Sequence, residues 1–420
     1  YKTKDGFQYC FSVPSGVLIL RRNGKIFATG NCGKTASLTG LLGGLDVTQS
    51  EIAMCAFTGK AAARMQESSG YSASTIHKLL GIKGTEPEYN EDNKLPHKVI
   101  IMDEFSMTPL SLLRLLLRAM KEGSRLIFLG DSGQLQSISM GNLSTDLIKS
   151  PVVPSAGLTE IMRQAQESGI ICLSSDVNKG QEVFKSSYEG ETLVKQDTYI
   201  FSDRDSEFLF ENIVNDFQSR WEAGRIENKQ DFIILAPVKY RGKLCCSLLN
   251  NAIQDIVNPQ SKLQEFLKEE LRVEFKNNSK NEDEEDSRSF VLRVGDNVIC
   301  NHNKYNIRTT EVERVPNVDG DGDGLQDIDV TTNIFNGWTG ELIKLDKDQQ
   351  IGYFKFYDCE YTVILDVDEI KECITLGYAI SIHKSQGAEW KEVYIAIDNA
   401  GYSILTREML YTAITRAKNR

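Results

Sequence analysis

Apolar runs closed by turn residues recur at Glu51–Phe57, Lys98–Met102, Arg125–Leu129, Asp231–Leu235 and Val393–Ile397, and segments with helical periodicity separate most of them. Strands that alternate with helices imply parallel sheets. From Phe290 to about Asp366 the pattern changes to short β segments with Gly and Asn turns, so a small all-β insertion is expected to interrupt a second α/β unit. The stretch Asn277–Asp286 is polar and acidic and reads as a solvated loop. Phe11–Asn31 reads as two strands joined at Asn23-Gly24, a strong hairpin signal, and Thr406–Lys418 reads as a helix.

With 420 residues, 40% hydrophobic and 25% charged, the chain has room for two or three domains and the balance of globular material, which excludes a disordered or fibrous protein. The apolar stretch Leu110–Met120 is broken by Arg114 and Arg118, so no membrane crossing is expected. Nine cysteines show no metal-ligand spacing, which suits a reducing, cytosolic compartment. The net charge of −11 argues against a polyanionic partner only at first sight. Glu282–Asp286 carries five of those charges, and Asp319, Asp321, Asp323, Asp327 and Asp329 another five, so the remainder is close to neutral. Residue 1 is tyrosine and the chain stops inside a helical pattern at Arg420, as expected of an internal fragment.

Gly33-Lys34-Thr35 is followed by a helical pattern, as at a phosphate-binding loop that opens a helix. Backbone N–H groups and the helix N-terminus hold phosphate oxygens there, Lys34 reaches the β- and γ-phosphates, and Thr35 ligates magnesium. Ala28 stands where the full pattern has a glycine. The run Lys98–Met102 ends in Asp103-Glu104, one carboxylate for magnesium and one near the attacking water. Arg125–Leu129 ends in Gly130-Asp131, with Gln134 beyond as a γ-phosphate sensor. These strand ends converge at the carboxyl edge of a parallel sheet.

The ordered motifs resemble those of superfamily 1 helicases, in particular the RecD-like, Dda-type 5′-to-3′ branch. They are Gly33–Thr35, Phe57–Arg64, Ser74–Leu80, Asp103–Met107, Gly130–Leu135, Leu158–Gln164, Leu235–Pro237 with Leu249-Asn250, Ile382–Gly387 and Tyr411–Ala417. The resemblance covers roughly residues 32–420 and implies an α/β protein of two RecA-like P-loop NTPase domains with parallel sheets, plus a small SH3-like β insertion. The corresponding boundaries are 1–31 for the hairpin, 32–156 for the first RecA-like domain with a candidate duplex-splitting pin at 82–97, 157–290 and 367–420 for the second, and 291–366 for the insertion.

The same resemblance implies ATP and Mg²⁺ as cofactors, and hydrolysis between two lobes. Gly33, Lys34, Thr35, Asp103, Gln134, Arg163, Gly387 and Arg416 would contact the nucleotide or its metal, with Glu104 activating water and Arg163 and Arg416 as arginine fingers. Thr58, Gly59, Lys60, Ser74, Thr75, His77, His383, Lys384 and Ser385 would grip DNA phosphates, although Lys60, His77 and His383 have a packing or capping reading as well. Implied partners are single-stranded DNA, duplex junctions and replication or recombination proteins, in a bacterial or phage-infected cytoplasm. An RNA-directed helicase and a nucleotide-inactive nucleic-acid-binding module are the competing readings.

Two local features stand apart. Asp319-Gly320-Asp321-Gly322-Asp323-Gly324 imitates the start of a calcium loop, but Val330 occupies the place of the bidentate glutamate, so a solvated acidic turn is expected. The hairpin pattern ending in Asn31-Cys32 resembles the C-terminal end of an intein. Asn31 would cyclise to release the segment and Cys32 would accept the upstream chain, with Gly30 in place of the usual penultimate histidine; a diverged native phosphate-binding loop preceded by an ordinary β hairpin is the competing reading.

Overall fold

A computed structural model describes residues 18–22, 25–29, 34–82, 86–137, 142–156, 168–183, 190–195, 197–260, 270–273, 290–316, 325–401 and 404–418. Asn31, Cys32, Gly33, Arg163 and the acidic turn at 319–324 lie outside them. The chain forms two compact units, one comprising residues 1–132 and 136–166, the other 133–135 and 167–420.

The first unit contains β1 (Leu18–Arg22), β2 (Lys25–Thr29), α1 (Lys34–Gly44), β3 (Ile52–Ala56), α2 (Gly59–Ser69), β4 (Ala73–Thr75), α3 (Ile76–Leu79), β5 (Val99–Asp103), α4 (Leu110–Ala119), β6 (Arg125–Phe128) and α5 (Leu143–Lys149). Strands β1 and β2 pair as the antiparallel hairpin that the turn signal predicts. The main sheet has the order β4-β3-β5-β6, with every pair parallel. Residues Val99–Met102 are all buried, which is why β5 reads as an unbroken apolar run rather than an alternating one. In α4, Leu112, Leu113, Leu116 and Ala119 face inward while Arg114 and Arg118 are exposed. That spacing is the inward stripe of an amphipathic helix. Each buried leucine there contributes roughly 1.5–3 kcal/mol relative to exposure.

The second unit contains α6 (Gly169–Asn178), β7 (Gly190–Lys195), β8 (Thr198–Ser202), α7 (Ser206–Glu222), β9 (Phe232–Ala236), α8 (Cys246–Val257), β10 (Glu270–Val273), β11 (Phe290–Arg293), β12 (Asn297–Cys300), β13 (Lys304–Pro316), β14 (Leu325–Ile334), β15 (Thr339–Asp346), β16 (Ile351–Phe356), β17 (Thr362–Asp366), α9 (Val367–Cys373), β18 (Ile374–Leu376), β19 (Ala379–Ser381), β20 (Glu392–Ile395) and α10 (Arg407–Ile414). Its parallel sheet has the order β19-β9-β20, with β9 central and wholly buried. A seven-stranded sheet of order β14-β13-β17-β16-β15-β12-β18 makes up the β insertion and its seam with the α/β part. The fold is thus mixed α/β, and among the described residues it holds two parallel sheets, the seven-stranded antiparallel sheet and three two-stranded antiparallel ribbons. Two buried side chains join the parts of this unit. Asn250 of α8 donates to Ala379 O at 2.7 Å and accepts from the amides of Tyr378 and Ala379. Asp296 receives Gln254, Asn258, the Arg293 amide and the Tyr378 hydroxyl.

The C-terminal helix is shorter than the Thr406–Lys418 pattern. Thr406 caps it by accepting from the Met409 amide at 3.2 Å, and the α-helix ends at Ile414. Residues 86–97 hold no strand and are tied down as a loop: Tyr89 N donates to Leu80 O, and Leu95 is buried with its amide donating to Ala119 O. Among the described residues no helix is long and apolar enough to cross a membrane.

Candidate functional site

The first unit collects its candidate residues along one sheet edge. The chain goes from β3 outward to β4, then back across β3 to β5, so the connections diverge at the β3/β5 pair. That divergence is the switch point at which open α/β sheets bind ligands. Asp103 ends β5, and the Glu104 amide donates to Asp103 Oδ1 at 2.8 Å. Glu104 is buried and holds a left-handed backbone at φ 50°, ψ 40°. A non-glycine residue in this region costs roughly 1–3 kcal/mol, and such strain concentrates at functional positions. Two bonds hold the turn to the neighbouring strand end: Phe105 N donates to Leu129 O at 3.3 Å, and Leu129 N to Met102 O at 2.8 Å. Gly130 makes this contact sterically feasible, since a Cβ there would lie 2.5 Å from the Phe105 ring.

Lys34 and Thr35 are the first two residues of α1, whose Leu38 and Leu42 pack with Met54, Met65, Val99 and Ile101. At the ends of β3 and β4 the register sets Ala56 beside Thr75. Thr58 caps α2 by accepting from the Ala61 amide at 3.2 Å, and Gly59 and Lys60 are the first two residues of that helix. Thr75 caps α3 by accepting from Lys78 N at 3.2 Å, while the Ser74 hydroxyl donates to Thr75 O. Partial burial lowers the His77 pKa, and its ring centroid lies 6.4 Å from that of Phe57. An imidazole so shifted is neutral at physiological pH and interacts by hydrogen bonding rather than by charge.

In the second unit β19 runs directly into the 3₁₀ turn Ile382–Ser385. His383 is half-buried, and its pKa is lowered by burial and then by Lys239. Lys384 is pulled down to about 8, first by burial and then by Lys239. Ser385 is wholly buried and its hydroxyl donates to Ile382 O at 2.7 Å, so that group closes the turn. Gly387 holds φ 75°, the left-handed region that favours glycine.

Arg416 is buried inside the second unit. Its Nε donates to Thr412 O at 3.0 Å, Nη1 to Ala388 O at 3.1 Å and Nη2 to Thr415 Oγ1 at 3.1 Å. The tripeptide Gly133–Leu135 belongs to this same unit. Leu135 N donates to Thr412 Oγ1 at 2.9 Å, and Gln386 Nε2 donates to Leu135 O at 3.0 Å, while Gln134 just before it is buried. The Gln134 segment is therefore fastened to both the Ile382–Gly387 and the Tyr411–Ala417 motifs.

A cavity of about 540 Å³ in the second unit escaped the sequence reading. Lys239, Asn301 and Lys384 line it, and Lys384 Nζ donates to Asn301 Oδ1. Glu372 is the one carboxylate among the described residues of its wall, and it is paired with Lys304 at 2.7 Å. Lys239 follows a matched motif by two residues and could have been found from it. Asn301 carries no signal of its own in the sequence.

Residues 24–196 match the family model of an AAA domain, and residues 376–420 match that of the UvrD-like helicase C-terminal domain. The chain is 26% identical over 373 residues to the ATP-dependent RecD2 DNA helicase of Deinococcus radiodurans, covering 88% of this chain and 42% of that protein. It is 26% identical over 394 residues to the RecBCD enzyme subunit RecD of Mycolicibacterium smegmatis, covering 88% of this chain and 61% of that one. The chain thus spans less than two thirds of either relative's length. Among solved structures, a Bacteroides Pif1 helicase in complex with ADP-AlF3 and ssDNA gives a TM-score of 0.48 at 16% identity, covering 92% of this chain and 84% of that one. The chain is thus similar to curated RecD-type helicase proteins over most of its length, and to UvrD-like helicases at its C-terminal end.

Proposed function

We propose that this RecD-like chain is an ATP-dependent DNA helicase that moves 5′ to 3′ along single-stranded DNA. The observation that carries the reading is the β5 terminus. A magnesium-type carboxylate, Asp103, is followed at the sheet switch point by a buried glutamate in strained left-handed backbone. Hydrolysis of a triphosphate needs that pair of functions and little covalent chemistry besides.

In this reading Gly33, Lys34 and Thr35 hold the phosphates, and Thr35 and Asp103 supply the hard oxygen donors that suit Mg²⁺. Magnesium, when bound, neutralises charge on the phosphate oxygens. Glu104 takes the proton of the attacking water. Arg163 and Arg416 act as arginine fingers that complete the charge environment, and Gln134 couples the phosphate to DNA, with Gly387 beside the nucleotide. The hold of Thr412 and Gln386 on Leu135 supports a coupling role for the Gln134 segment, because movement of either motif pulls on its backbone. Thr58, Gly59, Lys60, Ser74, Thr75 and His77 on the first unit contact strand phosphates, as do His383 and Lys384 on the second, through loops and helix caps rather than base readers, while Ser385 serves to close its turn. The insertion at 291–366 acts as an SH3-like clamp on that strand.

Tailed duplexes test the polarity. The full-length protein is expected to unwind a duplex carrying a 5′ single-stranded tail in the presence of ATP and to leave a 3′-tailed duplex intact. Unwinding confined to 3′ tails overturns the assignment.

For the N-terminal segment, the β1–β2 hairpin that leads toward Asn31-Cys32 supports the intein reading. An intact-mass measurement of the full-length gene product is expected to show Phe11–Asn31 excised, and a single chain that retains it contradicts this.

A further inference from the structure

Lys384 occupies an unusual setting for a surface-motif lysine. It comes off β19 into the wall of the 540 Å³ cavity, among Lys239, Cys246 and Cys300. Among the described residues of that wall the one carboxylate, Glu372, is paired with Lys304. The acceptor it has is neutral, the side-chain oxygen of Asn301. Asn301 is itself fixed from two other sides. Its amide N donates to Cys373 O at 2.6 Å, and its Nδ2 donates to Thr375 Oγ1 at 3.1 Å. The ammonium settles the carboxamide orientation, because it can only donate and a flipped amide would aim donors at it; the Thr375 hydroxyl then accepts from the NH₂ group and anchors the far side.

We propose that Asn301 is the positioning residue for Lys384: its oriented carboxamide oxygen holds the ammonium at the cavity wall, aimed and ready for a phosphate of the nucleic-acid backbone. The proposal rests on the reading of Lys384 as a phosphate contact given above. A neutral acceptor suits the task. It steadies the charged form, as a hydrogen bond to an ion does, yet leaves the net positive charge available for an incoming anion. A carboxylate in its place would cancel that charge.

Burial and Lys239 bring the Lys384 titration to about 8, so loss of the Asn301 bond is measurable as a shift in it. Competitive acylation of the full-length protein with an acid anhydride, read at the Lys384 peptide by mass spectrometry from pH 6 to 10, reports this titration without DNA. Asn301→Ala is expected to lower the midpoint by about one pH unit, because an acceptor to a charged donor is lost. Asn301→Asp is expected to raise it by about two units, the usual size for an opposite charge in contact. Thr375→Val leaves Asn301 in place but frees its amide to turn, and is expected to move the midpoint in the same direction as Asn301→Ala by a smaller amount. Equal midpoints in all three variants and the wild type overturn the proposal, and uniform loss of reactivity with no shift counts against it in the same way.

Anisotropy titrations with an oligo(dT) strand over the same pH range separate this from the functional reading. Wild-type affinity is expected to fall as pH rises through about 8, with the step displaced in each variant alongside its acylation midpoint. Acylation midpoints that shift while DNA affinity shows no step support Asn301 as the positioning residue and remove Lys384 from the DNA contacts.

Discussion

Glu104→Gln is expected to lower DNA-stimulated ATP turnover by roughly 10²–10³-fold, the usual contribution of a positioned general base. Nucleotide binding is expected to survive, since the phosphates and metal fall to Lys34, Thr35 and Asp103. Glutamine keeps the volume and backbone behaviour of glutamate, so the left-handed turn and the Phe105–Leu129 bond stay in place. What it lacks is a carboxylate able to accept the proton of the attacking water. Steady-state phosphate release alongside a fluorescent-nucleotide titration checks both halves. Turnover within threefold of wild type would remove Glu104 from the chemistry and leave its strained backbone without a catalytic explanation.

Asp296→Ala is expected to destabilise the second unit by about 3–5 kcal/mol, the cost of leaving several buried donors without their acceptor. One carboxylate oxygen receives Gln254 Nε2 at 2.5 Å and the Arg293 amide at 2.7 Å, the other Asn258 Nδ2 at 2.8 Å and Tyr378 OH at 3.0 Å. Asp296→Asn is expected to cost nearly as much, because whichever oxygen becomes NH₂ then faces two donors. Urea unfolding followed by tryptophan fluorescence measures both, and a loss under 1 kcal/mol in the alanine variant contradicts the network's role. The pH dependence has a definite sign. Burial raises the Asp296 carboxyl above its ordinary value. Its linked contribution is therefore fully present below the unfolded-state value and is lost as pH rises through the folded one. The wild type should gain on Asp296→Asn as pH falls through that window.

The parallel strands were legible because burial on both faces writes them as unbroken apolar runs. Lys98–Met102 and Asp231–Leu235 each miss the observed strand by one residue at either end, since hydrogen bonding rather than hydropathy sets the terminus. The β insertion was legible as a change of rhythm, but not the length of its β13–β14 ribbon, where exposed Val312 and Ile328 alternate with charge and no core enforces a pattern. The Asp103-Glu104 pair was legible from its place after a strand. Its left-handed backbone was not, because glutamate has no preference for that region and the turn is tied by contacts to a distant strand end, Phe105 N to Leu129 O and the Phe105 ring against Gly130. Contacts between distant residues left no trace. Asn301 meets Lys384 across 83 positions, and Leu135 meets Thr412 across 277. Ser385 read as a small surface hydroxyl in a basic motif. Its backbone neighbour Ile382 claims that hydroxyl instead, an i−3 bond that composition does not reveal.

Phosphate release by the full-length protein, measured with saturating ATP and Mg²⁺ at increasing oligo(dT) and repeated with an RNA homopolymer and with Lys34→Ala, tests most directly whether this chain is a DNA-driven motor. Hydrolysis that rises at least tenfold with DNA, responds less to RNA and vanishes in Lys34→Ala is the expected result. Hydrolysis that is absent, indifferent to DNA, or unchanged by the lysine substitution would contradict it.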